Sequence, residues 1–127
     1  MIEVQKAVIK KDNLFLTLLR SPKAEFYPEH WDFPGGKLEE GEDRIKGIER
    51  EVFEETTLNV NAGNVIGIYE MSIKGIPHRF TLYATKQILG TVKLSSEHLD
   101  FRWATKKEIL KLKTEPYIKL YFDETKE

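Results

Sequence analysis

The sequence predicts a single α/β layered domain that spans residues 1–127. Its 127 residues are 40% apolar and 32% charged, a composition typical of a globular domain with one core. Segments rich in β-prone residues stand on both sides of one amphipathic helical segment, and two shorter helical segments follow near the C-terminus. Strands on both sides of a central helix favour an architecture in which helices cover the faces of a sheet.

The first part of the chain predicts a β-hairpin followed by a loop. Residues 3–11 and 14–19 are β-prone, and the turn signal Asp12-Asn13 separates them. Residues 21–30 contain two prolines and many polar side chains, so we predict a loop that is a candidate flap on the substrate side. Residues 31–33 predict a short strand that leads into a Pro-Gly-Gly turn.

A helix is predicted from about Asp43. Apolar residues at Ile45, Ile48 and Val52 recur at helical spacing and lie on one face. Asp43 suits the N-cap because its carboxylate can accept hydrogen bonds from the free amide groups of the first turn. We call this segment the box helix.

The C-terminal end of the box helix carries three anions that oppose its folding. Glu51, Glu54 and Glu55 are spaced i, i+3 and i+4, so their carboxylates converge on one patch near the negative end of the helix dipole. Arg50 can pair with Glu54, but no other cation is spaced to neutralise the patch. A hard divalent cation with oxygen ligands would turn this repulsion into binding.

The second half of the chain predicts another hairpin. Residues 60–73 are β-rich, residues 74–77 form a turn, and residues 78–85 alternate between two faces, as a half-buried strand does. Phe80 and Tyr83 lie on opposite faces of that strand, so at most one of them can face a pocket.

The C-terminal part predicts a mixture of short elements. Residues 91–94 suggest a short strand, residues 95–100 a loop and residues 101–104 a strand. The sequence Thr105-Lys106-Lys107-Glu108 is a capping box that opens a short helix to about Leu112. Pro116 suits the first turn of a last helix.

Composition excludes several functional classes. The chain has no cysteine, so disulfides, thiolate metal sites and cysteine nucleophiles are excluded. A net charge of −1 provides no field that attracts nucleic acid. No membrane span or signal peptide is recognisable, so we expect no membrane partner and a cytoplasmic location. The three histidines have no metal-ligand spacing, and we expect each to be a surface or hydrogen-bonded residue.

The box helix and the glycines before it resemble the signature of the Nudix hydrolases. Gly36, Glu42 and the run Arg50-Glu51-Val52-Phe53-Glu54-Glu55-Thr56-Thr57-Leu58 match the family pattern of fixed residues, with one exception. The preceding run, from Trp31 to Lys37, resembles that of the MutT-like branch. The resemblance implies an α/β/α sandwich with a mixed central sheet, the box helix on one side and the C-terminal helices on the other.

The resemblance also implies an activity and a cofactor. Nudix hydrolases cleave a phosphoanhydride of a nucleoside diphosphate linked to another group, and they use Mg²⁺ or Mn²⁺. On this chain Glu51, Glu54 and Glu55 would be metal ligands, and Glu51 or Glu54 would be the base. Arg50 would orient the carboxylates in the catalytic centre. The partner would be a small nucleotide, and the assembly either a monomer or a homodimer.

Six further residues receive roles as expectations. The Gly35 carbonyl is a candidate metal ligand, because a glycine pair lets the backbone approach a cation closely. Glu97 is either a further metal ligand from a late loop or an ordinary exposed glutamate. Lys37 either contacts a phosphate or is simply solvated. Tyr83 either stacks on a base or packs in the core. Gly36 is expected to hold the geometry of the motif, and Glu42 either holds the geometry of the loop and helix or reaches a second metal through water.

Thr57 stands where the family pattern has glycine. The family residue ends the helix, often with a positive φ, and a β-branched residue is strained there. Either the helix continues and Asn59 takes the left-handed cap, or the turn differs. We expect the substitution Thr57→Gly to leave turnover largely unchanged.

Three functions remain open at this point. The first is a pyrophosphohydrolase that converts a nucleoside triphosphate, for example 8-oxo-dGTP, to the monophosphate and pyrophosphate. The second is a hydrolase of a dinucleoside polyphosphate, ADP-ribose or a nucleotide sugar. The third is a module that binds nucleotide without hydrolysing it, which the presence of all three glutamates disfavours.

Overall fold

The computed structural model describes residues 1–125, in which two sheets lie between layers of helix. In chain order the elements are β1 (Ile2–Val8), β2 (Lys10–Lys11), β3 (Leu14–Arg20), β4 (Trp31–Asp32), β5 (Gly35–Lys37), α1 (Arg44–Thr56), β6 (Asn59–Ile73), β7 (Ile76–Leu89), β8 (His98–Ala104), α2 (Lys106–Ile109) and α3 (Pro116–Glu124). The box helix is α1. Within these residues, no helix is both long enough and apolar enough to cross a membrane.

One sheet is mixed and the other is antiparallel. The mixed sheet has the strand order β5-β1-β7-β6, in which β1 is parallel to β7 and the other pairs are antiparallel. In the antiparallel sheet, β3 pairs with β2, β4 and β8. The mixed sheet confirms the predicted fold class.

Alternate side chains of the strands enter two separate cores, one under each helical layer. Val4 of β1 and Phe80 of β7 pack with α2 and α3, whereas Ala7 and Tyr83 pack under the box helix. The period of two residues sends neighbours in a strand to opposite faces of the sheet. This arrangement is the α/β/α sandwich that the resemblance implied, with the box helix opposite the C-terminal helices.

The predicted N-terminal hairpin is only partly correct. β1 pairs with β5 and β7, and only Lys10 and Lys11 pair with the start of β3. The chain passes from one sheet to the other at Ile9, whose carbonyl accepts a hydrogen bond of 2.9 Å from the Leu16 amide. Ala7 and Ile9 are both buried under the box helix, so the apolar pattern continues across the junction and hides it.

Three local predictions were wrong. The glycine pair begins β5, which pairs with β1, where we had predicted a turn. Residues 91–94 form no strand, and β8 begins at His98, inside the predicted loop. The second hairpin and both C-terminal helices are confirmed, with the capping box of Thr105 and Glu108 formed as predicted.

Candidate active site

The box helix is oriented by its cap and by its apolar face. The Asp43 carboxylate accepts a hydrogen bond of 2.9 Å from the Lys46 amide, which confirms Asp43 as the N-cap. Ile48 and Val52 are buried in the core below the helix. This orientation brings the last turn of the helix to the glycine pair of β5.

The helix ends at Thr57, which itself adopts the left-handed conformation (φ 63°, ψ 7°). Its amide donates to the Phe53 carbonyl at 2.8 Å, so Asn59 does not take the cap, and that alternative was wrong. The Thr57 hydroxyl donates to the Thr91 carbonyl at 2.7 Å. This hydrogen bond helps to offset the strain of a β-branched residue at a positive φ.

Thr57→Gly is expected to change turnover less than threefold and the free energy of unfolding by less than about 1 kcal/mol. Removing the left-handed strain stabilises the fold by about 1 kcal/mol, and losing the hydroxyl bond costs a similar amount. Steady-state kinetics and thermal unfolding measure both quantities. Thr57→Val, which keeps the strain and loses the bond, should destabilise the protein. A hundredfold gain in turnover for Thr57→Gly would contradict this account.

The glycine pair lies directly against two of the helix carboxylates. The Gly35 amide donates to Glu55 Oε1 at 3.0 Å. A Cβ on Gly36 would lie 2.9 Å from Glu51 Oε2. Gly35 has a φ of 143°, and a Cβ there would overlap the Gln5 carbonyl oxygen. Only glycine therefore allows β5 to approach β1 and the helix end at once.

The three glutamates have different surroundings. Glu55 is only 4% exposed, and burial raises its pKa to about 8 even though Lys6 opposes the shift. Burial also raises the pKa of Glu51, against the opposing charge of Arg50. Glu54 is exposed. Two crowded, partly desolvated carboxyl groups thus lie beside the glycine pair.

Arg50 connects the outer residues of the motif. Its Nη1 lies 3.0 Å from both carboxylate oxygens of Glu54, and its Nη2 lies 2.6 Å from Glu42 Oε2. Glu42 also accepts from the Glu39 amide at 3.2 Å, which ties the loop before the helix to the helix itself. The pairing of Arg50 with Glu54 is as predicted.

Glu97 reaches the site because the segment before it is fixed to the end of the box helix. The Ser95 amide donates to the Glu55 carbonyl at 3.1 Å, and the Lys93 amide donates to the Thr56 carbonyl at 2.9 Å. Carbonyls of a last helical turn lack partners within the helix, and these amides satisfy two of them. Residues 93–95 thus attach the segment before Glu97 to the end of the box helix by backbone hydrogen bonds, and they do not form the predicted strand.

A cleft of about 310 Å³ collects most of the predicted site residues. Its acidic end is lined by Glu51, Glu55 and Glu97, together with the glycine pair. Its other end is lined mainly by the rings of Phe26, His78 and Phe80. Phe26 belongs to the predicted flap of residues 21–30, so this loop does face the cleft.

Of the two predicted substrate-binding residues, Lys37 lines the cleft and Tyr83 does not. Lys37 is exposed at the rim of the cleft, where its ammonium lies 3.5 Å from Glu25 Oε1 and 5.6 Å from the centre of the Phe26 ring. The structure does not place Tyr83 in the cleft. Tyr83 is buried under the box helix and donates to Gln5 Oε1 at 2.6 Å. Phe80 is the residue of this pair that faces the cleft, because it points to the opposite side of β7.

A buried ionic cluster that the sequence did not predict lies beside the cleft. Asp32 Oδ2 lies 2.7 Å from Lys6 Nζ and 3.1 Å from Arg20 Nη1, and Asp32 Oδ1 accepts from the Tyr117 hydroxyl. Burial alone would raise the pKa of Asp32, but the Lys6 ammonium, a hydrogen bond with Glu115 and the Arg20 guanidinium together outweigh burial and hold the pKa below its usual range. The available signal was a charged residue in each of two apolar strands, at Lys6 and at Asp32.

The expectation for the histidines is only partly correct, because in the described part of the chain His78 is hydrogen-bonded through Nδ1 but leaves its other ring nitrogen unpaired, and His98 is buried with an unpaired ring nitrogen. His78 and His98 are buried, and among residues 1–125 His78 Nε2 and His98 Nδ1 have no hydrogen-bond partner. His78 shares a strand face with Phe80 in the predicted alternation, which could have indicated its burial. It lines the aromatic end of the cleft.

The residues at the acidic end fit a hard divalent cation. In the described part of the chain, no group of three acidic or histidine side chains is arranged to hold a metal ion, and Glu54 is paired with Arg50. The candidate metal ligands at this end are carboxylate and carbonyl oxygens, which are the ligands that Mg²⁺ prefers. Burial raises the pKa values of Glu51 and Glu55, and a bound divalent cation would supply positive charge that favours their ionised forms.

Comparison with known proteins identifies the family. A family profile described as NUDIX domain matches residues 6–123. The chain is 29% identical over 116 residues to a MutT-like protein of Streptomyces ambofaciens, covering 91% of this chain and 71% of the relative. It is 27% identical over 116 residues to the CTP pyrophosphohydrolase of Escherichia coli K12, covering 91% and 84%.

A solved structure shows the same architecture. The crystal structure of the MutT protein from Methanosarcina mazei Go1 superposes with a TM-score of 0.86 at 28% identity, covering 99% of this chain and 96% of that one. Nudix hydrolases generally use divalent metals such as Mg²⁺, in agreement with the oxygen donors at the acidic end of the cleft. Because the family profile matches residues 6–123, the chain belongs to the Nudix hydrolase family.

Proposed function

We propose that this Nudix hydrolase is a pyrophosphohydrolase that converts a nucleoside triphosphate to the nucleoside monophosphate and pyrophosphate. The observation that carries the proposal is the two-ended cleft, with carboxylates at one end and aromatic rings at the other. Such a cleft suits a ligand with a metal-bound polyphosphate and a single flat base. The E. coli relative, named CTP pyrophosphohydrolase, supports the same substrate class.

The metal would be held by Glu51, Glu54, Glu55 and the Gly35 carbonyl, with Glu97 as a further candidate. When bound, Mg²⁺ (or Mn²⁺) would neutralise phosphate charge and lower the pKa of a coordinated water. Glu54 would have to exchange its Arg50 partner for the metal. Arg50 would keep Glu42 and so continue to hold the loop against the helix.

In the reaction, water forms a bond to phosphorus while the bridging P–O bond to the leaving group breaks. The proton of the water passes to a carboxylate of the box helix. Glu51 is better placed than Glu54 for this role, because Glu51 lines the cleft and Glu54 is bound to Arg50. Lys37 at the rim would contact a phosphate after leaving Glu25.

Two alternatives make different demands on the cleft. A dinucleoside polyphosphate needs places for two bases, and the described cleft has one aromatic end. A nucleotide-binding module without catalysis would not need crowded carboxylates beside a glycine pair. Both alternatives are therefore less well supported than a mononucleoside triphosphate.

The test is a panel of nucleotides incubated with Mg²⁺ and assayed for released pyrophosphate. The panel contains the common ribo- and deoxyribonucleoside triphosphates, 8-oxo-dGTP, a dinucleoside tetraphosphate, ADP-ribose and a nucleotide sugar. We expect pyrophosphate and monophosphate from at least one triphosphate. Turnover of the other classes alone would overturn the proposal. If the wild type hydrolysed nothing and Glu54→Gln bound nucleotide equally well without metal, the chain would be a binding module.

A further inference from the structure

We propose that the cleft selects nucleobases that carry an amino group, because two buried hydrogen-bond acceptors among its lining residues lack partners. The acceptors are His78 Nε2 and a carboxyl oxygen of Glu115. This inference rests on the proposed function, and it specifies the class of base that the same cleft accepts. The preferred bases are cytosine, adenine and guanine, and the disfavoured ones are uracil and thymine.

The tautomer of His78 is fixed by its backbone partner. Its Nδ1 lies 2.8 Å from the Ile76 carbonyl oxygen, which can only accept, so Nδ1 carries the proton. In the neutral ring Nε2 is then a bare acceptor. His78 is 2% exposed, lies edge-on to Phe26 at 4.8 Å and stacks with Phe80 at 6.1 Å. Nothing among residues 1–125 donates to Nε2.

Glu115 supplies the second acceptor. It caps the last helix but makes no side-chain cap hydrogen bond, and it is 4% exposed. Burial raises its pKa well above the ordinary value, and the Asp32 anion beside it adds to the shift. Glu115 and Asp32 share a side-chain hydrogen bond, in which the neutral Glu115 donates its proton. One oxygen of the Glu115 carboxyl is left as a carbonyl-type acceptor.

Among residues 1–125, no donor lies within hydrogen-bond distance of these two acceptors. Arg20 Nη1 lies 3.8 Å from Glu115 Oε2, beyond hydrogen-bond distance, and it is bound to Asp32 at 3.1 Å. The Arg20 Nε donates to the Phe26 carbonyl at 3.1 Å. Lys6 is also bound to Asp32. The cations of the cluster hold the carboxyl groups in place, and the donors must come from a ligand.

A nucleobase amino group matches this arrangement. Two acceptors that line the cleft, one of them against the rings of Phe26 and Phe80, call for N–H donors from a flat ring, and an amino group provides two. A carbonyl oxygen in the same place would face two acceptors and leave both unpaired. A buried site that loses its hydrogen-bond partners discriminates strongly, so we expect a preference of about a hundredfold.

Matched pairs of bases test the proposal on the wild-type enzyme. CTP and UTP differ at the 4-amino or 4-oxo position, ATP and ITP at the 6-position, and GTP and ITP by the 2-amino group. We expect kcat/KM to favour the amino member at least tenfold in the best-hydrolysed pair. A preference below tenfold in every pair, or a preference for the oxo member, would overturn the inference.

The outcomes of these assays distinguish a failure of base selection from a failure of the proposed function. If CTP and UTP are hydrolysed equally well, base selection fails and the pyrophosphohydrolase stands. If no triphosphate is hydrolysed, the proposed function fails. Dissociation constants for CMP, UMP, AMP, GMP and IMP then decide base selection independently, with the same tenfold criterion.

Variants identify the atoms responsible. His78→Phe keeps a ring between Phe26 and Phe80 but removes the acceptor, so the ratio of CTP to UTP should fall below threefold. His30→Phe is the matched control outside the cleft, and it should leave the ratio unchanged. Glu115→Gln retains both a donor for Asp32 and an acceptor, so it should keep the preference, whereas Glu115→Met should lose it. Retention of the full preference in both His78→Phe and Glu115→Met would contradict the assignment of the atoms.

Discussion

Replacing Glu51 by glutamine is expected to lower kcat for a nucleoside triphosphate about a thousandfold, while leaving the fold at least as stable. The substitution removes the proposed base and a metal ligand from the cleft. It also removes a half-buried anion whose pKa is raised by burial, so the free energy of unfolding should not fall. Steady-state kinetics with saturating Mg²⁺ and thermal unfolding without metal measure the two effects.

Glu49→Gln is the matched control on the same helix. Glu49 lies away from the cleft and accepts a hydrogen bond of 2.8 Å from the Ala62 amide, which a glutamine oxygen can also accept. Its activity should stay within twofold of the wild type. A comparable loss in both variants would show that the effect comes from the helix and not from the site. Full activity in Glu51→Gln would remove Glu51 from catalysis.

Gly35→Ala is expected to destabilise the fold by more than about 3 kcal/mol and to abolish activity. A Cβ at this position would overlap the Gln5 carbonyl oxygen and approach Lys6 Cα to 2.9 Å. Both obstacles are backbone atoms of β1, so neither can move without opening the mixed sheet. The displacement would also break the hydrogen bond from the Gly35 amide to Glu55. Chemical denaturation provides the measurement.

Gly41→Ala separates this clash from backbone strain. Gly41 also has a positive φ, of 78°, but a Cβ there would meet no atom within 4 Å. Its cost should therefore be only the strain of the left-handed region, about 1 kcal/mol, with activity retained. Equal destabilisation by the two substitutions would mean that φ, and not the packing of β5 on β1, explains the requirement for glycine.

The parts that sequence predicted correctly are those with a local cause. The box helix follows from its apolar spacing and from the Asp43 cap, and the second hairpin follows from the alternation in residues 78–85. The capping box at Thr105 was predicted from a motif of four residues. The pairing of Arg50 with Glu54 follows from the i, i+4 spacing of a helix.

The features of the fold and of the site that the sequence did not predict depend on contacts between residues that are distant in the sequence. Asp32 and Glu115 are 83 positions apart, and backbone hydrogen bonds that join Trp31 to Lys113 and to Glu115 bring them together. The change of sheets at Ile9 leaves the apolar pattern intact, so periodicity could not detect it. Thr57 adopts the left-handed conformation that favours glycine. The hydrogen bond from its hydroxyl to the carbonyl of Thr91, 34 residues later, helps to offset the strain.

The most direct test of the account is calorimetric titration of Mg²⁺, at pH 7 and in two buffers of different ionisation enthalpy, with a non-hydrolysable triphosphate present. Burial raises the pKa of Glu55 to about 8, so this group is mostly protonated at pH 7 without metal. Because a metal ligand must be deprotonated, binding should release about one proton per site, and Glu55→Gln should abolish that release. Absence of any binding heat from Mg²⁺ or Mn²⁺ would contradict the claim that these carboxylates hold a metal.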